Sequence, residues 1–160
     1  WQITEDSLDK SMKAFNIDSS MKNELLNLYK ILSPYKEVPK TLKALKEKKI
    51  KLSILSNGTP SLLNELVKSN NLNNLFDDIF SIEEVGVYKP DSKVYDIPVK
   101  KYKIKNDEIA FLSANTWDVS GGGNYGYQAI WVNRNNNIFD NLDFKPKLEI
   151  KNLSGLLSKL

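Results

Sequence analysis

The sequence contains no cysteine and no histidine. It can therefore form no disulfide and none of the zinc sites that Cys and His ligands build. A thiol nucleophile and an imidazole base are excluded as well, so proton transfer would fall to carboxylates, Lys, Tyr or water. Since nothing in this composition indicates an oxidising compartment, we expect a cytoplasmic protein.

Long apolar runs and clustered charges are also lacking. No run approaches the roughly 20 apolar residues of a membrane-spanning helix, and we expect no membrane partner. The net charge of +3 comes from lysines interspersed with acidic residues, and Arg134 is the single arginine. Mixed charge of this kind is typical of solvated helix faces rather than of a nucleic-acid-binding stripe, so we expect no nucleic-acid partner.

Residues 1–33 show only helical patterns. Apolar spacing predicts a first helix from Thr4, as its N-cap, to about Phe15. A second helix is predicted after an Asp18 cap and should end at Ser33-Pro34. Its apolar stripe comprises Met21, Leu25, Leu28 and Leu32.

From residue 34 onward, helical and strand patterns alternate. Apolar runs predict strands at 51–55, 79–82, 109–112 and 129–132. The predicted helices lie at 39–48, 60–69, 91–102, 119–125 and 153–160. Pro98 is expected to kink or split the helix at 91–102. Strands separated by helices require crossover connections, so we predict a doubly wound, Rossmann-like α/β fold with a parallel sheet.

Two polar clusters follow predicted strands, at the sheet edge where α/β proteins bind ligands. Ser56-Asn57-Gly58 offers a hydroxyl, a carboxamide and backbone donors that suit an anion, although an ordinary strand-to-helix turn favours the same residues. Val87-Tyr88-Lys89-Pro90-Asp91 could hold a fixed positive charge at Lys89. A solvated lysine at a helix start explains Lys89 in isolation better.

A third cluster, Ser113-Ala114-Asn115-Thr116-Trp117-Asp118, is the most specific of the three. An N-cap role would explain Asp118 alone but not the Ser, Asn and Trp that crowd the same turn. Gly121-Gly122-Gly123 follows and permits close backbone approach, but its spacing does not fit a dinucleotide-binding fingerprint.

Together the motifs Ser-Asn-Gly, Val-Tyr-Lys-Pro-Asp-x-x-Val-Tyr and Ser-x-Asn-x-Trp-Asp resemble those of type II L-2-haloacid dehalogenases, in the haloacid dehalogenase-like hydrolase superfamily. The similarity extends from Thr4-Glu5-Asp6 through Glu37-Val38-Pro39 to Val132-Asn133-Arg134. It implies a hydrolase that converts short L-2-haloalkanoic acids into 2-hydroxy acids through an aspartyl ester. The resemblance implies no cofactor, a small-molecule haloacid as the partner, and a homodimer.

The resemblance also assigns roles to eight residues. The catalytic ones, which would neutralise charge at the nucleophile and orient it and the hydrolytic water, are Lys89, Ser113, Asn115 and Asp118. The substrate-binding ones are Ser56, Asn57, Tyr95 and Trp117. A buried structural tyrosine would fit Tyr95 equally well.

Two other functions stay open. Phosphatases of the same superfamily hold Mg²⁺ with a second acidic loop, whereas Ala114 and Asn115 supply no carboxylate beside Asp118, which argues against a metal site. The chain could instead be a catalytically inactive binding or assembly module that keeps the motif residues as relics.

The resemblance places the nucleophilic Asp, a nearby Thr and a halide-receiving Arg before the position of Trp1. We therefore expect residues 1–33 to be the remnant of a helical cap and 34–160 an α/β core without its first strand. In the family that strand lies between those at 51–55 and 109–112, so we expect a further N-terminal segment to complete the sheet and this sequence alone to be inactive. The stripe Met21–Leu32 could serve the dimer or pack within its own cap.

Overall fold

The computed structural model describes residues 1–159, in which seven α-helices and five β-strands are found. The helices are α1 (Gln2–Ala14), α2 (Lys22–Leu28), α3 (Val38–Glu47), α4 (Pro60–Ser69), α5 (Ser92–Tyr102), α6 (Thr116–Tyr125) and α7 (Ser154–Leu157). The strands are β1 (Ser53–Ser56), β2 (Asp78–Ser81), β3 (Ala110–Ser113), β4 (Gln128–Val132) and β5 (Leu148–Ile150). None of the helices in this range combines the length and apolar character needed to cross a bilayer.

The first two helices differ from the sequence prediction at their caps. α1 begins two residues before Thr4, with Trp1 at the N-cap and no side-chain cap bond, so the predicted Thr4 cap is wrong. Asp18 does cap, since its carboxylate accepts the Ser20 N–H at 2.8 Å, but it caps the 3₁₀ turn Ser19–Met21 that leads into α2.

The predicted apolar stripe of the second helix is also wrong. α2 ends at Leu28, because the next N–H groups bond three residues back and the following Ser33-Pro34 disfavours helix. Leu32 therefore lies outside the helix, and Met21, Leu28 and Leu32 are all exposed. Leu26 is the buried residue of α2 instead.

The α/β portion follows the predicted alternation, with all strand pairs parallel. β1 pairs with β2 through the α4 crossover, and β3 pairs with β4 through α6. β4 also pairs with β5, which the sequence analysis missed. Within residues 1–159 the two sheets share no strand pairing, so β1 and β3 each keep one unpaired edge.

Three helices of the α/β portion differ from the sequence prediction. Pro98 neither splits nor ends α5, because it removes only one hydrogen bond while its neighbours Val94, Tyr95 and Ile97 anchor the helix in the core. α6 begins at Thr116 rather than Val119, since the Asn115 carbonyl already accepts helical N–H groups. The predicted last helix is shorter, and Leu160 lies outside the described residues.

The core lies between the sheets and the helices that cover them. One cluster joins α3, the β4–β5 pair and α7. Its buried members are Leu45, Ile130, Val132, Ile150 and Leu156. A second joins β2 to α5, with Phe80, Ile82, Val94 and Ile97. These contacts fix the strand ends relative to the helices that start beyond them.

We predict that Leu45→Ala lowers the free energy of unfolding of the full-length protein by about 2–5 kcal/mol. Leu45 is 3% exposed, so the substitution leaves a cavity among the residues of its cluster. Leu28→Ala is the matched control, because Leu28 is 46% exposed. Urea denaturation of both variants measures the difference, and equal losses would contradict the assignment of Leu45 to the core.

Candidate functional site

A buried lysine lies where the carboxyl ends of β1 and β3 converge. The Lys89 ammonium donates to the Leu55 carbonyl of β1 at 2.8 Å and to Asp118 Oδ2 of α6 at 3.1 Å. The two side chains of this ion pair are only 5% and 8% exposed. Lys89 therefore joins the two sheets at the edge where ligand sites occur in this fold class.

Both carboxylate oxygens of Asp118 accept a hydrogen bond. Tyr95 of α5, which is fully buried, donates its hydroxyl to Asp118 Oδ1 at 2.9 Å. Burial, aided by the charge of Asp118, raises the pKa of Tyr95 well above its ordinary value, so the hydroxyl stays protonated as a donor. The carboxylate thus has one neutral and one charged donor, and it is fixed in place.

Aromatic rings enclose the ammonium. The ring of Phe111 in β3 lies 5.0 Å from Lys89 Nζ, and that of Tyr95 lies 5.9 Å away. Such faces attract a cation, but they also exclude water. Burial lowers the pKa of Lys89 below that of a solvated lysine, and the Asp118 charge and hydrogen bond oppose this effect.

The Ser56-Asn57-Gly58 turn is tied to the same lysine through the backbone. The Lys89 N–H donates to Asn57 Oδ1 at 3.2 Å. Within the turn the Gly58 N–H donates to Ser56 Oγ at 3.0 Å, and Ser81 donates its hydroxyl to the Gly58 carbonyl at 2.7 Å. Asn57 is therefore held beside Lys89, and Ser56 lies in the same turn.

The remaining predicted residues lie between the end of β3 and the first turn of α6, with Ser113 the last residue of β3, Asn115 the N-cap and Trp117 the second residue of the helix. The Ser113 hydroxyl accepts the Asn115 N–H at 3.2 Å, which shapes the turn that presents Asp118. Trp117 is 41% exposed and lines an open groove with Pro90, Ser120 and Leu142. Its ring takes no part in the hydrogen bonds that join Lys89, Tyr95 and Asp118.

Three residues that contribute to the site were not predicted from the sequence. Phe111 looked like an ordinary strand residue, and the Leu55 contact uses a backbone carbonyl that every residue has. Ser81 is buried at the end of β2 and fixes Gly58 from a distant part of the chain. A polar residue at the end of an apolar strand was the only signal that could have found it.

The site offers donors but, within residues 1–159, no cluster of metal ligands. No group of three or more acidic residues in this range is arranged so that it could hold a metal ion. An ammonium has three N–H donors, and the described residues occupy two of those on Lys89. The third can reach an anionic group that enters beside β1 and β3.

The fold and these residues define an α/β protein with a buried lysine–aspartate pair at the carboxyl edge of its strands. The family model described as haloacid dehalogenase-like hydrolase matches residues 2–132. An (S)-2-haloacid dehalogenase of Pseudomonas sp. strain YL is 34% identical over 158 residues, which cover 98% of this chain and 68% of that protein. The chain therefore belongs to the haloacid dehalogenase-like hydrolase family.

Other relatives agree with this membership. An (S)-2-haloacid dehalogenase of Pseudomonas putida is 35% identical, over 97% of this chain and 69% of that protein. A crystal structure of an L-2-haloacid dehalogenase superposes with a TM-score of 0.95 at 30% identity, covering 99% of this chain and 71% of that one. A dehalogenase in an intermediate complex gives a TM-score of 0.96 at 29% identity, covering 100% and 72%.

We predict that Lys89→Met lowers the free energy of unfolding by about 3–5 kcal/mol, because it leaves the buried Asp118 charge unpaired. Lys22→Met is the matched control, since its ion pair with Asp9 is solvated and should contribute little. The double variant Lys89→Met/Asp118→Asn should recover part of the loss. Chemical denaturation measures all three, and a Lys89→Met protein as stable as the control would contradict the buried pair.

Proposed function

We propose that the protein hydrolyses short L-2-haloalkanoic acids to 2-hydroxy acids and halide. The observation that carries this proposal is the buried Lys89 ammonium, held between the end of β1 and Asp118 with one donor left for an anion. The curated relatives named (S)-2-haloacid dehalogenase give the proposal its substrate class.

The reaction needs a carboxylate nucleophile. Its oxygen attacks the α-carbon of the haloacid from the side opposite the halogen, halide leaves with the bonding electrons, and an ester forms. Water then adds to the ester carbonyl, which releases the 2-hydroxy acid and regenerates the carboxylate. The configuration at the α-carbon is inverted once.

Neither acid of the motifs suits the role of nucleophile. Both oxygens of Asp118 accept hydrogen bonds within the core, from Tyr95 and Lys89. Asp91 caps α5 by accepting the Lys93 N–H at 2.9 Å. We assign the nucleophile to an N-terminal segment that also supplies the strand between β1 and β3, in keeping with the resemblance.

Lys89 then acts as the charge partner of that nucleophile. Its third N–H donates to the attacking carboxylate, while Asp118 and the Leu55 carbonyl hold the ammonium in place. Ser56 and Asn57, on the turn beside it, bind the substrate carboxylate and border the departing halide. This arrangement positions donors where charge moves during the displacement.

The α6 turn serves the hydrolytic half of the reaction in this proposal. Ser113 and Asn115 orient the nucleophile and the water that attacks the ester, and Trp117 forms a wall of the substrate pocket. Residues 1–33 act as part of a cap that covers the site, above a core formed by 34–160. We further propose a homodimer in the cytoplasm, on the family resemblance alone.

We predict that the full-length protein releases chloride from L-2-chloropropionate and not from the D enantiomer, and that EDTA leaves the rate unchanged. Lys89→Met should abolish the release, whereas Lys22→Met should retain it. A chloride electrode measures the rates. Absence of release together with Mg²⁺-dependent hydrolysis of a phosphate ester would favour the phosphatase, and absence of both would favour the inactive module.

A further inference from the structure

Three consecutive glycines in the interior of α6, Gly121 to Gly123, each face an aromatic ring at close range. A Cβ on Gly121 would lie 2.5 Å from the Tyr95 hydroxyl oxygen and 2.9 Å from Cβ of Pro90. A Cβ on Gly122 would lie 2.6 Å from the Phe111 ring, and one on Gly123 would overlap the Phe144 ring. Positive φ angles among the glycines occur only at Gly86 and Gly126, so α6 needs these glycines for space and not for backbone conformation.

We propose that Gly121 is a positioning residue. Because it has no side chain, it leaves room for the Tyr95 hydroxyl to keep its hydrogen bond to Asp118. The predicted effect of Gly121 on catalysis rests on the proposed function. The steric part of the proposal concerns the folded chain and can be tested without a substrate.

Helix geometry explains why position 121 faces the Tyr95 hydroxyl. Asp118 and Gly121 are three residues apart in α6, so they lie on the same face of the helix. A tyrosine that reaches Asp118 from α5 must therefore pass over residue 121. The position of the Tyr95 hydroxyl therefore accounts for two distances. It lies 2.9 Å from Asp118 Oδ1 and 2.5 Å from where a Cβ on residue 121 would lie.

The Tyr95 ring has no room to retreat. It packs edge-on against Phe111 at 5.7 Å and against Tyr127 at 5.9 Å, measured between ring centroids. Tyr125 covers it at 5.9 Å, and the Tyr127 hydroxyl donates to the Tyr95 carbonyl. A side chain at 121 must therefore displace the hydroxyl from Asp118 or push α6 away from α5, and either change weakens the hydrogen bond.

Pro90 gives the same position a second link to the site. It follows Lys89 directly in the chain, and its Cβ is the second nearest contact of the absent Gly121 side chain. A larger residue at 121 would press on both Tyr95 and the backbone beside Lys89. The loss should therefore appear in the chemical step more than in substrate binding, which the proposed function assigns to Ser56, Asn57 and Trp117.

The test compares Gly121→Ala with Gly123→Ala in the full-length protein. Both place a methyl group against an aromatic ring inside α6, but Phe144 packs with Val119 and Trp131 rather than with Lys89. Gly121→Ala should lower kcat for L-2-chloropropionate by about tenfold, the effect of weakening one hydrogen bond to a charged group, and leave KM unchanged. Gly123→Ala should lose thermal stability but keep both constants. Equal effects of the two variants on kcat would overturn the proposal.

A double-mutant cycle with Tyr95→Phe separates the steric part from the catalytic part. Removing the hydroxyl removes the 2.5 Å contact, so Gly121→Ala/Tyr95→Phe should melt at a higher temperature than Gly121→Ala, and its kcat should equal that of Tyr95→Phe. Losses that simply add, or a double variant that folds no better than Gly121→Ala, would refute a role through Tyr95. The melting temperatures test the steric role of Gly121 even if no halide is released. Absence of halide release would contradict the proposed function but not the steric inference.

Discussion

The ion pair of Lys89 and Asp118 is the interaction on which the rest of the site depends. Removing two charges from water costs several kcal/mol for each ion, and the attraction between them offsets this cost only if their remaining donors and acceptors are satisfied. Here the Leu55 carbonyl and the Tyr95 hydroxyl supply two of those contacts, the Phe111 ring lies against the ammonium, and the third N–H of Lys89 is left for the nucleophile in the proposed function. Because the partners come from β1, β3, α5 and α6, the pair can form only when these elements hold their relative positions.

The same pair lies between the two sheets, which share no strand pairing within residues 1–159. β1 and β3 each keep an unpaired edge, and the Lys89 side chain contacts residues of both strands. In the proposed enzyme the strand that completes the sheet also brings the nucleophile to this lysine. Completion of the fold and assembly of the catalytic group would then be a single event, which explains why the buried charges are placed at the junction rather than inside either sheet.

The sequence predicted the site better than it predicted the helical region. Lys89, Asp118, Ser56 and Asn57 lie at or beyond strand ends, so the parallel topology alone brings them to one edge, and hydrogen bonds join Lys89 to Asn57 and Asp118, whereas the roles predicted for these residues stay predictions. The stripe on α2 failed because apolar spacing cannot show where a helix ends when the end depends on tight turns before a proline. β5 and Phe111 were missed because their importance comes from contacts with distant segments, which leave no local pattern, and the signal for Ser81 was only a polar residue at the end of an apolar strand.

Charge balance constrains what else the site must contain. In the proposed reaction the nucleophile and the substrate each bring a carboxylate to a region where Asp118 is already charged, and Lys89 is the one cation that the described residues place there. Arg134, the single arginine, is engaged elsewhere, with its guanidinium 2.7 Å from Glu37 and stacked 3.7 Å above the Tyr35 ring. Three carboxylates around one ammonium would repel each other strongly in so dry a site. The proposed function therefore requires a second cation near the nucleophile, a role that fits the halide-receiving arginine implied by the resemblance.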